Sequence, residues 1–147
     1  MVTLNHEHFM NKAIQEAQHA LDKGEIPIGA VIVLNGQIIA RSHNLTETLN
    51  DVTAHAEMQA ITAAANFLGA KYLNQCTLYV TLEPCPMCVG ALYWSQIGSV
   101  VYGAKETRHQ FNVQPRYHPK TKVIGGILEE PAEKLIHQFF ELKRSLN

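Results

Sequence analysis

The sequence predicts an α/β protein in which helices pack against a sheet whose strands are at least partly parallel. Amphipathic segments with helical spacing alternate along the chain with short apolar runs that are rich in β-branched residues. A strong hairpin signal joins the first two of these runs. The chain has 147 residues, of which 46% are hydrophobic, so we expect residues 1–147 to form a single globular domain with one core.

The chain begins with a predicted helix and a predicted hairpin. Residues 5–23 place apolar side chains at helical spacing, and Gly24 is a suitable helix stop. Residues 28–34 form an apolar, β-rich run, which predicts the first strand. Asn35-Gly36 is a two-residue turn signal, so we expect residues 37–40 to form the returning strand.

A loop, a second helix and a third strand are expected next. Residues 42–53 are polar and predict a loop. Thr53 is the expected N-cap of a helix that continues through an alanine-rich stretch to about Phe67, and Gly69 is suited to ending it. Residues 76–82 are apolar and β-rich, which predicts a strand.

The remaining elements follow a similar alternation. Residues 86–95 are a predicted helix, since the proline that begins the segment is tolerated in a first helical turn. Residues 98–103 predict the fourth strand and residues 123–128 the fifth, with an irregular loop over 104–120 between them. A last helix is expected over residues 131–145.

The composition excludes several classes of protein. No apolar run approaches the roughly 20 residues that a membrane span needs, so we expect no membrane association. The N-terminus lacks a basic region followed by an apolar run, which predicts the absence of a signal peptide and a cytoplasmic location. A net charge of −1 argues against broad, non-specific nucleic-acid binding but permits a local basic patch.

Two short motifs predict a metal site. His55 is separated by one residue from Glu57, and Cys85 and Cys88 form a C-x-x-C pair that follows a proline. His and Cys side chains are zinc ligands, and three protein ligands leave a tetrahedral Zn²⁺ with one position for a water molecule that it activates. H-x-E followed by P-C-x-x-C is the signature of zinc-dependent base deaminases. We therefore expect His55, Cys85 and Cys88 to bind one Zn²⁺.

Glu57 is the expected catalytic acid and base. A carboxylate that ligated the metal would not shuttle protons freely, so we expect Glu57 beside the zinc and not on it. In that role it takes a proton from the attacking water, passes it to a ring nitrogen and helps to expel ammonia. An ideal helix would point Glu57 about 200° away from His55, so this assignment rests on the signature and not on periodicity.

Alternatives to a catalytic zinc also exist. A C-x-x-C pair can be a structural half-site or a redox pair, and a structural zinc usually has four protein ligands. Cys76 is the available fourth ligand, but it lies in an apolar strand, and we interpret it as a buried core thiol. A zinc-stabilised RNA-binding module without catalysis is a further possibility, which the free carboxylate of Glu57 disfavours.

The chain resembles the cytidine and deoxycytidylate deaminase superfamily, and within it the bacterial tRNA-specific adenosine deaminases. The stretches that carry the resemblance are 24–30, Asn44, 53–57, 77–88, 101–104, 126–128, 139–140 and 143–144. The resemblance implies a three-layer α/β/α fold of the cytidine deaminase type, with a mixed five-stranded sheet. It also implies a zinc-dependent deaminase domain over residues 1–147 that acts as a homodimer with one Zn²⁺ per subunit.

The resemblance further implies a reaction and a set of substrate contacts. The reaction is the hydrolytic conversion of adenosine to inosine at the wobble position of tRNA. Asn44 matches the asparagine that hydrogen-bonds the base, Ala56 is expected to offer its backbone N–H, and Glu106 lies where this branch has an acidic residue near the flanking nucleotides.

The sequence also allows a different substrate, and one segment of the chain bears on the choice. Residues 105–113 replace the small Gly/Ser-rich segment of the tRNA branch, and residues 85–88 with Tyr93-Trp94 also resemble guanine deaminases. The alternative function is therefore a deaminase of a free base or nucleotide, of the guanine or cytosine type. Residues 105–122 hold five of the twelve Lys and Arg residues, with aromatic side chains between them, which favours contact with a tRNA anticodon loop over an unspecific solvated loop.

Overall fold

The computed structural model describes residues 2–109 and 116–146, and within these ranges the chain forms four helices and five strands. The helices are α1 (Val2–Asp22), α2 (Ala56–Leu68), α3 (Pro86–Ser95) and α4 (Glu129–Leu146). The strands are β1 (Gly29–Leu34), β2 (Gln37–His43), β3 (Thr77–Leu82), β4 (Ser99–Ala104) and β5 (Lys122–Ile124). In the described part of the chain, no helix combines the length and apolarity that crossing a membrane requires.

The five strands form one mixed sheet in the order β2-β1-β3-β4-β5. β1 runs antiparallel to both of its neighbours, β2 and β3. β3, β4 and β5 run parallel, because α3 returns the chain between β3 and β4. The predicted fold class, a mixed five-stranded sheet covered by helices, is confirmed.

The helices cover both faces of the sheet and make it the middle of three layers. Side chains alternate across β1, so Ala30 and Ile32 pack with α2 and α3, whereas Val31 and Val33 pack with α1. α4 covers Leu82 and the end of β4 on the α1 side. A fully buried aliphatic side chain of this kind stabilises the fold by about 1.5–3 kcal/mol. Both faces of the central strands therefore contribute to the core.

Gly29 allows α1 to approach β1 at backbone distance. A Cβ atom at this position would lie 2.0 Å from the carbonyl oxygen of Ala13 and 2.4 Å from the backbone nitrogen of Ala17. Real Cβ atoms do not approach other heavy atoms so closely, so any larger residue would displace the helix. The glycine is required by this helix–strand contact and not by an unusual backbone conformation.

Several predicted element boundaries were wrong, including the end of β2, which continues to His43 and not to residue 40. α2 begins at Ala56 with His55 as its N-cap, while Thr53 lies in a turn where it donates hydrogen bonds to Asp51. β5 ends at Ile124 and not at residue 128, since the backbone is left-handed at Gly126 and Leu128, although the N–H groups of Gly126 and Ile127 still donate to carbonyls of β4. α4 begins at Glu129, which places the predicted starting proline in its first turn.

Candidate active site

Two helix N-termini meet at the predicted metal site. His55 is the N-cap of α2 and Cys85 is the N-cap of α3, and both have extended backbone angles. Cys88 lies in the first turn of α3 and is fully buried. One ligand atom from each of the three residues lies within 4.8 Å of the other two. The positive ends of both helix dipoles therefore face the sulfur atoms and favour thiolate over thiol.

The donor set and its spacing fit a zinc ion. Nδ1 of His55 lies 3.7 Å from Sγ of Cys85 and 3.5 Å from Sγ of Cys88. Bond lengths of about 2.3 Å for Zn–S and about 2.0 Å for Zn–N, at a tetrahedral angle, would separate nitrogen from sulfur by about 3.5 Å. One imidazole and two thiols arranged in this way would leave a fourth position open.

The three ligand residues influence one another's protonation. A hydrogen bond from Cys88 lowers the pKa of Cys85 to about 4, with His55 adding to the effect and burial opposing it. The same contact with Cys85 raises the pKa of Cys88, and Cys85 raises the pKa of His55. The cluster therefore holds one thiolate at neutral pH, and a metal ion that binds both sulfurs would displace a proton from Cys88.

Glu57 is buried beside this cluster but does not belong to it. Its side chain is 4% exposed, and burial raises its pKa to about 7 against the opposing effects of His55 and Cys88. The helical angle of about 200° between His55 and Glu57 does not apply, because His55 has a ψ of 155° and precedes the helix. The chain turns at this residue, so both side chains reach the same region.

A cavity of about 440 Å³ lies next to the metal cluster. Its walls come from the segment before β1, the loop after β2, the end of β3, the loop after β4, and α4. The lining residues are Ile26, Ile28, Asn44, Thr46, His55, Leu82, Glu106, Arg108, His109 and Phe140. The cavity therefore combines apolar walls with a few polar groups and the metal cluster at one side, which is typical of small-molecule and nucleobase sites.

The three predicted substrate-contact residues lie near the cluster in different ways. Asn44 lines the cavity and is 3% exposed. Ala56 is the first residue of α2, so its N–H has no acceptor within the helix, and its carbonyl accepts a hydrogen bond of 2.6 Å from Ser42. Glu106 also lines the cavity, but its carboxylate accepts hydrogen bonds from Arg108.

The loop after β4 is held in place by a chain of polar contacts. Glu83 accepts a hydrogen bond of 3.0 Å from the backbone N–H of Glu106. The Arg108 guanidinium donates to Glu106 at 3.1 Å and lies 4.8 Å from the centre of the Phe140 ring. A cation over an aromatic face is attracted to it. Arg108 thus connects the loop to α4 at the mouth of the cavity, a contact that the sequence did not predict.

The predicted basic segment separates into two parts. Arg108 and His109 lie at the cavity, whereas Tyr117 packs against the core cluster of α2 and α3, where burial raises its pKa. Tyr117 is half-buried by this packing, so only part of its side chain is accessible to an RNA base. Phe111, another aromatic residue of this segment, lies outside the described residues.

Cys76 and Trp94 belong neither to the metal cluster nor to the lining of the cavity. Cys76 is 2% exposed and packs in the core beside Leu78, as predicted, and it is not part of the metal cluster. Trp94 is 77% exposed on α3. Its exposure excludes core packing within one subunit and leaves a large apolar surface uncovered.

A second group of potential metal ligands lies next to two cationic side chains. Glu16, His19 and His43 bring their ligand atoms within 4.8 Å of one another. Arg41 lies 3.5 Å from the Glu16 carboxylate, and Nζ of Lys23 lies 3.1 Å from Nε2 of His43. Together with the ion pair between Glu16 and His43, these contacts make the group an ion-pair cluster that joins α1 to β2.

Glu25 is the principal site residue that sequence reasoning missed. Its side chain is fully buried, and it accepts hydrogen bonds from the loop that carries Asn44. A local signal was available, since an acidic residue directly follows the helix stop Gly24 and precedes an apolar strand. The signal does not say which groups would satisfy the carboxylate.

A three-layer α/β/α fold with a His/Cys/Cys cluster and a free buried glutamate at two helix starts defines a metal-dependent hydrolytic site. Residues 3–104 match the model of the cytidine and deoxycytidylate deaminase zinc-binding region. The chain belongs to the cytidine and deoxycytidylate deaminase family, and it is a deaminase.

Known relatives give the chain its place within the family. It is 46% identical over 146 residues to the tRNA-specific adenosine deaminase of Bacillus subtilis, which covers 94% of this chain and 91% of the relative. It is 43% identical, with a TM-score of 0.80, to a structure from work on A-to-I editing by tRNA:A34 deaminases at the wobble position, covering 87% and 98% of the two chains. It is 48% identical, with a TM-score of 0.65, to guanine deaminase of Bacillus subtilis, covering 68% and 64%.

Proposed function

We propose that this protein deaminates adenosine to inosine at the wobble position of tRNA. The observation that carries the proposal is the cavity of about 440 Å³ that has the His55 cluster on one side and Asn44 on another. Support comes from the 46% identity to a tRNA-specific adenosine deaminase over nearly the whole chain. The 43% identity to the wobble-position deaminase structure, over 98% of that chain, also favours this substrate.

The proposed chemistry assigns one role to each site residue. A zinc ion held by His55, Cys85 and Cys88 would supply the activated water for attack on the carbon that bears the amino group. Glu57 would take a proton from that water and deliver it to a ring nitrogen of the base, and it would pass the second proton of the water to the amino group, so that the carbon–nitrogen bond breaks and ammonia leaves. Its burial excludes bulk water as a competing proton donor.

Substrate positioning is assigned to four backbone and side-chain groups. Asn44 and the N–H of Ala56 would hydrogen-bond the base in the cavity. Glu106 would act near the flanking nucleotides, either directly or by holding Arg108 in place. Among the described lysines and arginines, Arg108 is the one that lines the cavity, and it is the proposed contact for the phosphate backbone of the anticodon loop.

The proposal extends to assembly and location. Residues 1–147 would form one zinc-dependent deaminase domain with one Zn²⁺ per subunit. A homodimer is supported by Trp94, because a tryptophan that is 77% exposed is a common interface anchor. A tRNA substrate implies a cytoplasmic location.

Guanine is the substrate of the second candidate function. The observation that favours it is the 48% identity to guanine deaminase of Bacillus subtilis, which applies to 68% of this chain. The apolar cavity walls would accept any planar base. The two candidates differ in what else they require, because a free base needs no cation at the cavity mouth.

Mass spectrometry of an anticodon stem-loop separates the two functions. We expect the purified zinc-loaded protein to convert one adenosine of the stem-loop to inosine, with ammonia release from the RNA exceeding that from free adenosine, guanine or cytidine. Arg108→Ala should weaken turnover on the stem-loop more at low salt than at high salt, because salt screens the lost phosphate contact, while Lys134→Ala on α4 serves as the matched loss of an exposed cation. Ammonia release from guanine alone would replace the first function with the second.

A further inference from the structure

Glu25 is a buried carboxylate whose position is set by the end of α1. Gly24 has a left-handed φ of 79° and donates its N–H to the carbonyl of Leu21. The N–H of Glu25 then donates to the carbonyl of Ala20 at 2.9 Å. These two bonds form a Schellman turn, which reverses the chain and directs the residue after the glycine inward. Glu25 is consequently fully buried.

The charge of Glu25 is satisfied by a neighbouring loop and not by a cation. Among the described residues, no Lys, Arg or His forms an ion pair with it. Its carboxylate accepts hydrogen bonds from the backbone N–H groups of Glu47 and Thr48, at 3.1 and 2.6 Å, and from the hydroxyl of Thr48 at 2.7 Å. Longer bonds of 3.5 Å come from the side chains of Thr46 and Asn44.

These donors all belong to the segment that follows β2 and forms one wall of the cavity. Asn44 and Thr46 line the cavity themselves, and Ile26, the residue after Glu25, lines the adjoining wall. Glu25 therefore joins two walls at a single buried charge. An ionised carboxylate out of contact with water is stable only while such donors remain in place. The segment therefore stabilises the charge, and the charge in turn keeps the segment in position.

The hydrogen-bonding chemistry of Glu25 also determines the orientation of the Asn44 amide. An ionised carboxylate accepts and does not donate, so the Asn44 group that faces it must be Nδ2. Nδ2 does donate to Glu25, and it also lies 3.4 Å from the hydroxyl of Thr46. The amide oxygen of Asn44 is then the atom left for a ligand in the cavity.

We propose that Glu25 is a positioning residue that holds the Asn44 amide so that its oxygen faces the bound substrate as a hydrogen-bond acceptor. The group it would accept from is a donor other than the amino group that leaves, such as a ribose hydroxyl of a nucleotide or a ring N–H of a free base. The identity of the base in this inference rests on the proposed function. The coupling between Glu25 and Asn44 is expected for any base that the cavity accepts.

A double-mutant cycle tests the proposal. Glu25→Gln replaces an acceptor with an amide whose NH₂ group opposes the Asn44 Nδ2, so we expect kcat/KM on the anticodon stem-loop to fall about ten- to a hundred-fold. Asn44→Ala should produce a loss of similar size. The double variant should be no worse than Asn44→Ala alone, because Glu25 acts through Asn44. Glu130→Gln, an exposed change on α4, is the matched control and should leave kcat/KM unchanged.

Zinc content and one further variant keep the outcome decisive. Zinc content should stay at the wild-type level in all variants, which separates positioning from loss of the metal. If Glu25→Gln does not fold, Thr48→Val removes a single donor to Glu25 and should show the same coupling to Asn44→Ala in a milder form. Multiplicative losses in the double variant, or a wild-type kcat/KM for folded Glu25→Gln, would overturn the proposal.

The cycle also separates this inference from the proposed function. If the wild-type protein fails to form inosine in the stem-loop, the proposed function is wrong, and the same four proteins are assayed on whichever base releases ammonia. Non-additive losses on that base would still support the link between Glu25 and Asn44. Independent losses would refute the link whichever base is used.

Discussion

Replacing Glu57 with glutamine removes the proposed proton carrier while keeping the size of the side chain. General acid–base groups contribute about 10²- to 10⁴-fold to the rates that they assist. Glu57 is 4% exposed, so bulk water cannot take over its role, and we expect a loss in the upper part of that range, about 10³-fold or more. Such a loss corresponds to about 4 kcal/mol of transition-state stabilisation.

The assay for Glu57→Gln is single-turnover inosine formation in an anticodon stem-loop, with zinc measured by atomic spectroscopy on the same samples. We expect the full zinc content, because the carboxylate lies outside the three-ligand cluster. Glu130→Gln makes the same chemical change on the exposed face of α4 and should keep wild-type activity. A Glu57→Gln protein with full zinc and a rate within ten-fold of wild type would refute the role assigned to Glu57.

Three further predictions follow from the structure. Cys85→Ser should lose most of its bound zinc, measured as metal per chain after gel filtration, whereas Cys76→Ser should keep it because this thiol lies in the core away from the cluster. Gly29→Ala should lower the free energy of unfolding, measured by urea denaturation, by about 3 kcal/mol or more, because its Cβ would lie 2.0 Å from the carbonyl of Ala13. Gly90→Ala is the control and should leave that free energy unchanged, because its Cβ would meet nothing within 4 Å. Burial raises the pKa of Glu25, but hydrogen bonds from Thr48, Glu47 and Thr46 outweigh it and hold the pKa below 4.5. The ionised carboxylate therefore stabilises the fold fully above pH 4.5, and this contribution is lost as the pH falls through the lower pKa of the folded state. The stability difference between wild type and Glu25→Gln should therefore be constant near neutral pH and shrink in acid, and a difference that grows as pH falls would contradict the assignment.

Local patterns were sufficient wherever the deciding interactions are local. Asn35-Gly36 predicted the hairpin, because a two-residue turn with left-handed backbone sets the register of both strands. The proline at the start of α3 predicted that helix correctly, since its ring fixes a helical φ. The proposed ligand residues could be named because their chemistry and spacing are typical of zinc sites.

Local patterns failed where distant groups decide the outcome. Thr53 is a better N-cap than histidine by propensity, yet α2 begins after His55, whose ring lies at the two cysteines of another helix. The helical wheel misplaced Glu57 for the same reason, because it assumed that His55 was already helical. Glu25 was missed because its donors lie 19 to 23 residues further along the chain.

The sequence by itself determined the fold class, the family and the residues suited to bind zinc and transfer a proton. These properties depend on side-chain chemistry and on spacings of a few residues, which are visible in the chain. The tertiary structure decided how those residues meet, with two helix starts facing each other, Asn44 oriented by a buried carboxylate, and Arg108 held against Phe140. Each of these depends on contacts between segments that only the packing of helices on the sheet brings within hydrogen-bonding distance.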